Sequence, residues 1–391
     1  MTTQPVLFNV MDYGAVGDGV IDDSAAIQAA IAAAAASNPG FKGHYSKATV
    51  YLPPCSFRVA ASINVAPQVT VEGYGATLVG PITAYPRVTA TTSVAVTVAD
   101  QTGGACFTDN LGPTGVVYWP EFRGLTLYGF RYGFCSACLA WNTAVLRDIM
   151  FYDCDLGVFC FQGSQDWVVH DFESTSCYAV FVAAATAMVP GSGLPTDNYF
   201  CDSLSMRTTR YTPGAVVNAV FDAWFSASIL KPNTADVTGW LMGAPVAYQQ
   251  VSGRIIYIPS RSTRDTNGHD VGPISAYGCA RGIMLTANPV NCRFHDLAGE
   301  QCFAGDTSPP TQAIVTVLKM AQWKTHGIME NIDAVNSTSS PAPNAIVFVP
   351  YAQSPLSGAP PESAFIGNNI HGVVSDATQF VSLINNSMLV Q

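Results

Sequence analysis

Acidic residues are scarce in this chain, and one stretch concentrates them: Asp148, Asp153, Asp155, Asp166, Asp171 and Glu173. Two pairs, Asp153/Asp155 and Asp171/Glu173, are spaced i,i+2. On a β-strand that spacing puts both side chains on one face, roughly 6.5 to 7 Å apart. Carboxylates roughly 6.5 to 9.5 Å apart suit inverting glycosidic hydrolysis, in which one protonates the leaving oxygen and the other activates water. Acids on stacked neighbouring strands would stand about 5 Å apart, nearer the retaining separation. Spacing therefore admits either route. Asp171 and Glu173 form the leading pair, with Asp153, Asp155 and Asp202 as alternates.

The surroundings supply binding chemistry. Trp167 and His170 flank the leading pair, and Arg207 and Arg210 follow further along. An aromatic ring such as Trp167, or Trp224 beside Asp222, can stack on a sugar face, although a tryptophan in an apolar run serves equally as core. Arginine grips a sugar carboxylate through paired hydrogen bonds. With His170 as a base, that grip would serve elimination rather than hydrolysis. His295 and Asp296, with Glu300, make a second and weaker acidic group.

Other chemistries find no support. There is no GxSxG elbow, HExxH pair or phosphate-binding loop. Cys135 and Cys138 form the only CxxC, and a structural zinc needs about four ligands, so no metal or cofactor is expected. The eleven cysteines read as small buried hydrophobes of a protein folded in a reducing compartment. A net charge of -10 without a basic stripe excludes nucleic acid as a partner. The longest weakly polar run, Ile27 to Ala36, is too short to span a bilayer. Residues 1 to 10 lack a basic start and an apolar run, so export by a signal peptide is not expected. Charged residues are only 11% of the chain, against about a quarter in ordinary domains. A surface made of Ser, Thr, Asn, Gly and backbone suits uncharged polar partners such as sugars.

The elements that would position these groups are short. Apolar runs recur at Phe122–Leu127, Val145–Phe151, Trp167–Phe172, Phe200–Met206, Val220–Phe225 and Arg254–Ile258, many separated by Gly or Asn. No strict sequence repeat is visible among them. Stretches rich in Pro, Gly and Ser read as surface loops: Met188–Asp197, Pro259–Pro273, Gly305–Gln312, Asn336–Asn344 and Gln353–Ser363.

The segment Phe8 to Ile31, FNVMDYGAVGDGVIDDSAAIQAAI, is the most specific. A short strand leads into a loop punctuated by Gly14, Gly17 and Gly19. Asp22 or Asp23 then stands at a helix N-cap, helped by Ser24. Ile27 and Ile31 make one apolar stripe, and the helix should stop near Ser37-Asn38-Pro39-Gly40. Such a helix can close the exposed core of a solenoid end. Strands over Ala48–Pro54, Phe57–Val59 and Val69–Gly75 follow. Asp12, Asp18, Asp22 and Asp23 belong to this structural frame rather than to chemistry.

Over residues 6 to 80 this order resembles the N-terminal region of the pectate-lyase-3-like β-helix superfamily, most nearly its phage tailspike depolymerases. Cys55 departs from it, standing where the family usually has Gly. The resemblance implies an all-β, right-handed parallel β-helix with a short N-terminal capping helix. It divides the chain into the cap and first coils (1–80), a β-helix body (81–335) and C-terminal coils (336–391) that would carry trimer contacts. It also implies a homotrimer of a virion tail, attached through a tail or baseplate partner and acting on capsule or O-antigen polysaccharide. The epimerase-like DPH triplet is absent. Ile370-His371-Gly372 lacks the upstream aspartates of a polygalacturonase. Hydrolysis by paired carboxylates is the leading expectation; a non-catalytic receptor-binding spike and a polysaccharide lyase are the alternatives.

Overall fold

The computed structural model describes residues 7–38, 48–81, 104–109, 111, 115–130, 132–136, 140–154, 156–160, 166–175, 179–183, 200–201, 204–207, 238–242, 245–251, 254–259, 265–267, 270–277, 281–285, 288–300, 313–319, 326–336, 344–350, 365–371, 373–376 and 381–384. Strand follows strand, and each coil strand pairs with the strand one turn earlier. Glu121, Val145 and Val168 stand side by side in parallel register. The ladders gather into one sheet of 17 strands and one of 10. Every coil ladder is parallel, and connections between parallel neighbours run right-handed. This is the expected parallel β-helix.

The helix Ser24–Ser37 closes the N-terminal end, burying Ile27, Ala30, Ile31 and Ala34 from one face. Its start is built differently from a simple cap. Asp23 occupies the N-cap position but makes no capping bond. Its carboxylate turns back and accepts the Val16 and Gly17 N–H groups at 2.6 and 3.3 Å. Asp22 Oδ1 does the helix-side work, accepting the Ser24 N–H and hydroxyl at 3.0 and 2.5 Å and the Ala60 N–H at 3.1 Å. One carboxylate thus fixes the glycine loop, and its neighbour ties the helix to the next coil. Desolvation works against the charged form of Asp22. The bonds from Ser24 and Ala60 outweigh it and hold the carboxyl below its ordinary value.

Inside the coil, side chains from successive turns stack. Phe107 meets Phe122 and Phe134 at 4.8 and 5.4 Å between ring centroids. Trp141 and Trp167 lie nearly parallel at 5.8 Å, and Phe151 meets Phe172 edge-on at 5.3 Å. Cys106, Cys135 and Cys154 are buried and in no disulfide, and burial pushes Cys106 well above the ordinary thiol range.

Two expectations fail. Pro259–Pro273 is not simply a loop: Asp265–Asn267 and Asp270–Val271 are strands that pair with Asn288–Glu300. Their sequence conceals them, because Asp265-Thr266-Asn267 and Asp270 lack the apolar alternation that marks a strand. Arg254–Ile258 does not form a coil strand. It falls in Arg254–Pro259, an antiparallel hairpin with Pro245–Val251, and alternation alone cannot tell a hairpin from a coil.

Candidate functional site: an outward polar row at a coil corner

Among the strands of the large sheet that carry a residue with a left-handed backbone, five share one pattern: Gly124 (φ 64°), Asp148 (54°), Asp171 (51°), Asp296 (54°) and Asn331 (54°); Val69–Val79 bends at Gly75 (85°) across a register shift. Gly, Asn and Asp are the residues that enter this region at least cost. The residues before the first three corners, Arg123, Arg147 and His170, are lateral neighbours. So are His295 and Glu330, before the last two. Each corner therefore comes from the same position of its coil.

The local sequences are Phe-Arg-Gly-Leu, Leu-Arg-Asp-Ile, Val-His-Asp-Phe, Phe-His-Asp-Leu and Met-Glu-Asn-Ile. A repeat is present after all: apolar, polar, corner residue, apolar. Its chemistry recurs while its residues do not. The left-handed residue breaks strand alternation, so the polar residue and the corner residue both face outward, between apolar neighbours that are buried wherever their side chains are described.

Other acids have the same backbone cause. Asp166 follows Gln68, Trp119 and Thr143 in a second left-handed column, and Asp153 ends its strand in a third beside Gly129. Four of the six acids between Asp148 and Glu173 are thus corner residues.

The leading pair stays on the outside. Asp171 and Glu173 are both exposed, with Phe172 buried between them in the strand Val168–Thr175. Neither side chain makes a hydrogen bond or ion pair to another described residue. His170 is half-buried beside Asp171, and Asp153 is half-buried at its corner. Trp167 is corrected: it is 0% exposed, stacks on Trp141 and donates its indole N–H to the Trp141 carbonyl at 2.6 Å. A ring sealed in the core cannot meet a sugar. Asp155, Asp202, Arg210, Asp222 and Trp224 lie outside the described residues. For Arg207 only the backbone is described, in the strand Leu204–Arg207 beside Thr175 and Tyr277. The same holds for Glu300, which pairs with Tyr277 and Asn336.

Further along the same row a denser cluster forms. His295 stands between two carboxylates. Asp296 Oδ2 lies 2.7 Å from Nδ1, and Asp270 Oδ1 lies 3.0 Å from Nε2. The second contact lacks hydrogen-bond alignment. Arg293 donates from Nε to Glu330 Oε1 at 2.6 Å and approaches Asp270 at 3.7 Å. Asn331 donates to Asp296 Oδ1 at 2.7 Å. Bonds from His295 first, then Asn331, hold the Asp296 carboxyl below its ordinary value. Three successive coils are joined here. Of these residues the sequence singled out only His295 and Asp296, because Asp270, Arg293 and Glu330 come from different coils. With a carboxylate at each ring nitrogen, His295 has no lone pair open to a substrate, so the cluster is a staple between coils.

Among the described residues no group of three or more His, Cys, Asp or Glu is arranged to hold a metal ion. No described helix is long and apolar enough to cross a membrane.

Residues 7–124 match the family described as rhamnogalacturonase A/epimerase, pectate lyase-like. The mannuronan C5-epimerase AlgE6 of Azotobacter vinelandii is 54% identical over 55 residues, 14% of this chain and 5% of that protein. The match therefore spans a small fraction of the epimerase. Among solved structures, bacteriophage phi29 gene product 12 in its pre-mature form aligns with a TM-score of 0.51 at 12% identity, covering 98% of this chain and 45% of that one. The tailspike of Acinetobacter baumannii phage AM24 aligns with a TM-score of 0.47 at 11% identity, covering 99% of this chain and 55% of that one. The chain has the pectate-lyase-like β-helix fold.

Proposed function

We propose that this pectate-lyase-like β-helix is a tailspike-like protein that binds a bacterial surface polysaccharide and hydrolyses it. The observation that carries the reading is the exposed pair Asp171 and Glu173 on the outward polar row, free of neutralising partners among the described residues. One carboxyl would protonate the leaving glycosidic oxygen while the other activates water or attacks the sugar. His170 lies beside them. Arg147, its lateral neighbour, is exposed, and its side chain has no partner among the described residues. Both can position sugar hydroxyls. Asp153, Asp155 and Asp202 are the alternate acids; Arg207, Arg210 and Trp224 are the further binding candidates. A homotrimer, joined to a virion tail and acting at the host surface, completes the reading.

A second reading is a non-catalytic receptor-binding spike. Its support is the corner column itself, since a left-handed bend accounts for an aspartate at 171 without any chemistry.

The two readings separate in one experiment. The protein is incubated with capsule and lipopolysaccharide from a panel of bacterial hosts, and reducing ends are counted alongside binding. Hydrolysis releases reducing ends without an unsaturated sugar; an unsaturated product means a lyase. Binding without shortening removes the enzyme reading. Asp171→Asn is a clean probe because Asn331 already occupies the same corner in another coil.

A further inference from the structure

Tyr74 is unlike the other aromatic residues described above. The residue is 51% exposed, yet the structure fixes it at two points. The hydroxyl donates to Asp148 Oδ2 at 2.7 Å. The ring lies against the Gly124 backbone so closely that a Cβ there would fall 2.4, 2.6 and 2.8 Å from Cδ1, Cγ and Cε1. Tyr74, Gly124 and Asp148 belong to three successive coils, so the ring spans the middle coil along the solenoid surface.

The corner column explains why this matters. At the equivalent position other coils use Asp148, Asp171, Asp296 or Asn331; the neighbouring coil has Gly75, where a Cβ would meet Pro54 at 3.0 Å, and of the two glycines Gly124 is the one whose missing side chain leaves room for a ring. An Asp would satisfy the bend there but would collide with the ring. The coil therefore gives up a side chain to seat an aromatic ring that remains half in water. Burial is a weak reason for that, because half of the apolar surface is not removed from solvent. Holding one face of a rigid ring open is a better one.

The groups around the ring are arranged for hydroxyls. Glu72 and Arg123 are paired neighbours on adjacent coils, and Arg147 pairs with Arg123 on the next. Arg123 is held by Glu121 through its Nε at 2.7 Å and through Nη2. Arg147 is exposed, with no side-chain partner among the described residues. Carboxylates and guanidinium groups nearly balance here, as Glu72, Glu121 and Asp148 stand against Arg123 and Arg147. Such a surface offers both donors and acceptors without a strong field, which favours an uncharged sugar over an anionic one.

We propose that Tyr74, seated on Gly124 and anchored by Asp148, is a stacking platform for an uncharged hexopyranose unit whose hydroxyls meet Arg147 and Glu72. It deepens the glycan reading above by adding a binding subsite one to three coils from Asp171. The test is affinity electrophoresis of the full chain in gels containing galactomannan, dextran or polygalacturonate. Wild type should be retarded by a neutral polymer, and raising the salt to about 0.5 M should leave the retardation unchanged, since screening acts on charge attraction. Tyr74→Ala should bind about tenfold more weakly, the scale of one lost aromatic contact. Tyr74→Phe keeps the ring and loses the anchor, and should fall between the two. Thermal unfolding of each variant confirms that the coil is intact.

Wild-type affinity in Tyr74→Ala overturns the platform. So does binding only to polygalacturonate with salt sensitivity, or no retardation by any of the three polymers. Cleavage on the host panel with an indifferent Tyr74 removes this inference alone. Tyr74-dependent binding without cleavage there removes only the enzyme reading.

Discussion

The strands holding Asp148 and Asp171 and those holding Asp296 and Asn331 turn the same corner, but they spend it differently. In the second region each corner side chain is engaged. Asp296 receives His295 and Asn331; of the residues before the corners, His295 also meets Asp270, and Glu330 accepts from Arg293. In the first region Asp148 holds a half-exposed tyrosine, and Asp171 and Glu173 reach solvent without a described partner. An acid whose lone pairs are filled by neighbours stabilises the coil and has little left for a ligand. An acid left open contributes little to the coil and remains available. The same backbone position thus serves as a staple in one place and as a candidate binding or reacting group in another.

That contrast breaks most directly at Glu173. Glu173→Gln should lower glycan cleavage by about 10²- to 10⁴-fold, the usual scale for losing an acid–base group. Its thermal midpoint should match wild type, because the side chain is exposed. A variant that cleaves normally removes Glu173 from the chemistry. The core beneath the pair is the next lever. Trp167→Ala should cost about 3–5 kcal/mol in denaturant unfolding, through lost transfer energy and the cavity left under Trp141. A cost below about 1 kcal/mol would mean that the ring is not the core residue described above.

The stapled region should respond to acid more than to mutation at neutral pH. The folded Asp296 carboxyl lies below its unfolded value of about 3.9. Its contribution is therefore present above that value and is lost as pH falls through the folded one. Melting curves between about pH 6 and pH 3 should show a steeper loss for wild type than for Asp296→Asn. Equal slopes would remove the staple's electrostatic part. The smallest effect belongs to Arg293→Ala. Its side chain is nearly half exposed, so the pairs with Glu330 and Asp270 are screened and should be worth about 0.2–1 kcal/mol in chemical denaturation.

Much of the fold was legible because its signals are local. The glycine loop, the acid before Ser24 and the Ile27/Ile31 spacing specify the capping helix within a few residues, since capping and side-chain periodicity act over one or two turns. The strands around Phe122, Val145 and Val168 follow from apolar alternation. Even the corners were written in the sequence, as Gly, Asp or Asn inside apolar tetrads, because the left-handed backbone selects those residues wherever it occurs. Residue type alone does not separate a corner aspartate from a reacting one, nor a buried Trp167 from an exposed sugar platform.

Lateral register was decided by the tertiary structure alone. Tyr74 reaches Asp148 across the coil of Gly124, and Asp270, His295 and Glu330 converge from three coils, only because each turn of the solenoid lands beside the last. The length of every intervening loop shifts that landing, and no local preference records it. The sequence by itself fixes which residues can bend, cap and pack; stacking decides which of them become neighbours, and so which acids are tied down and which are left open.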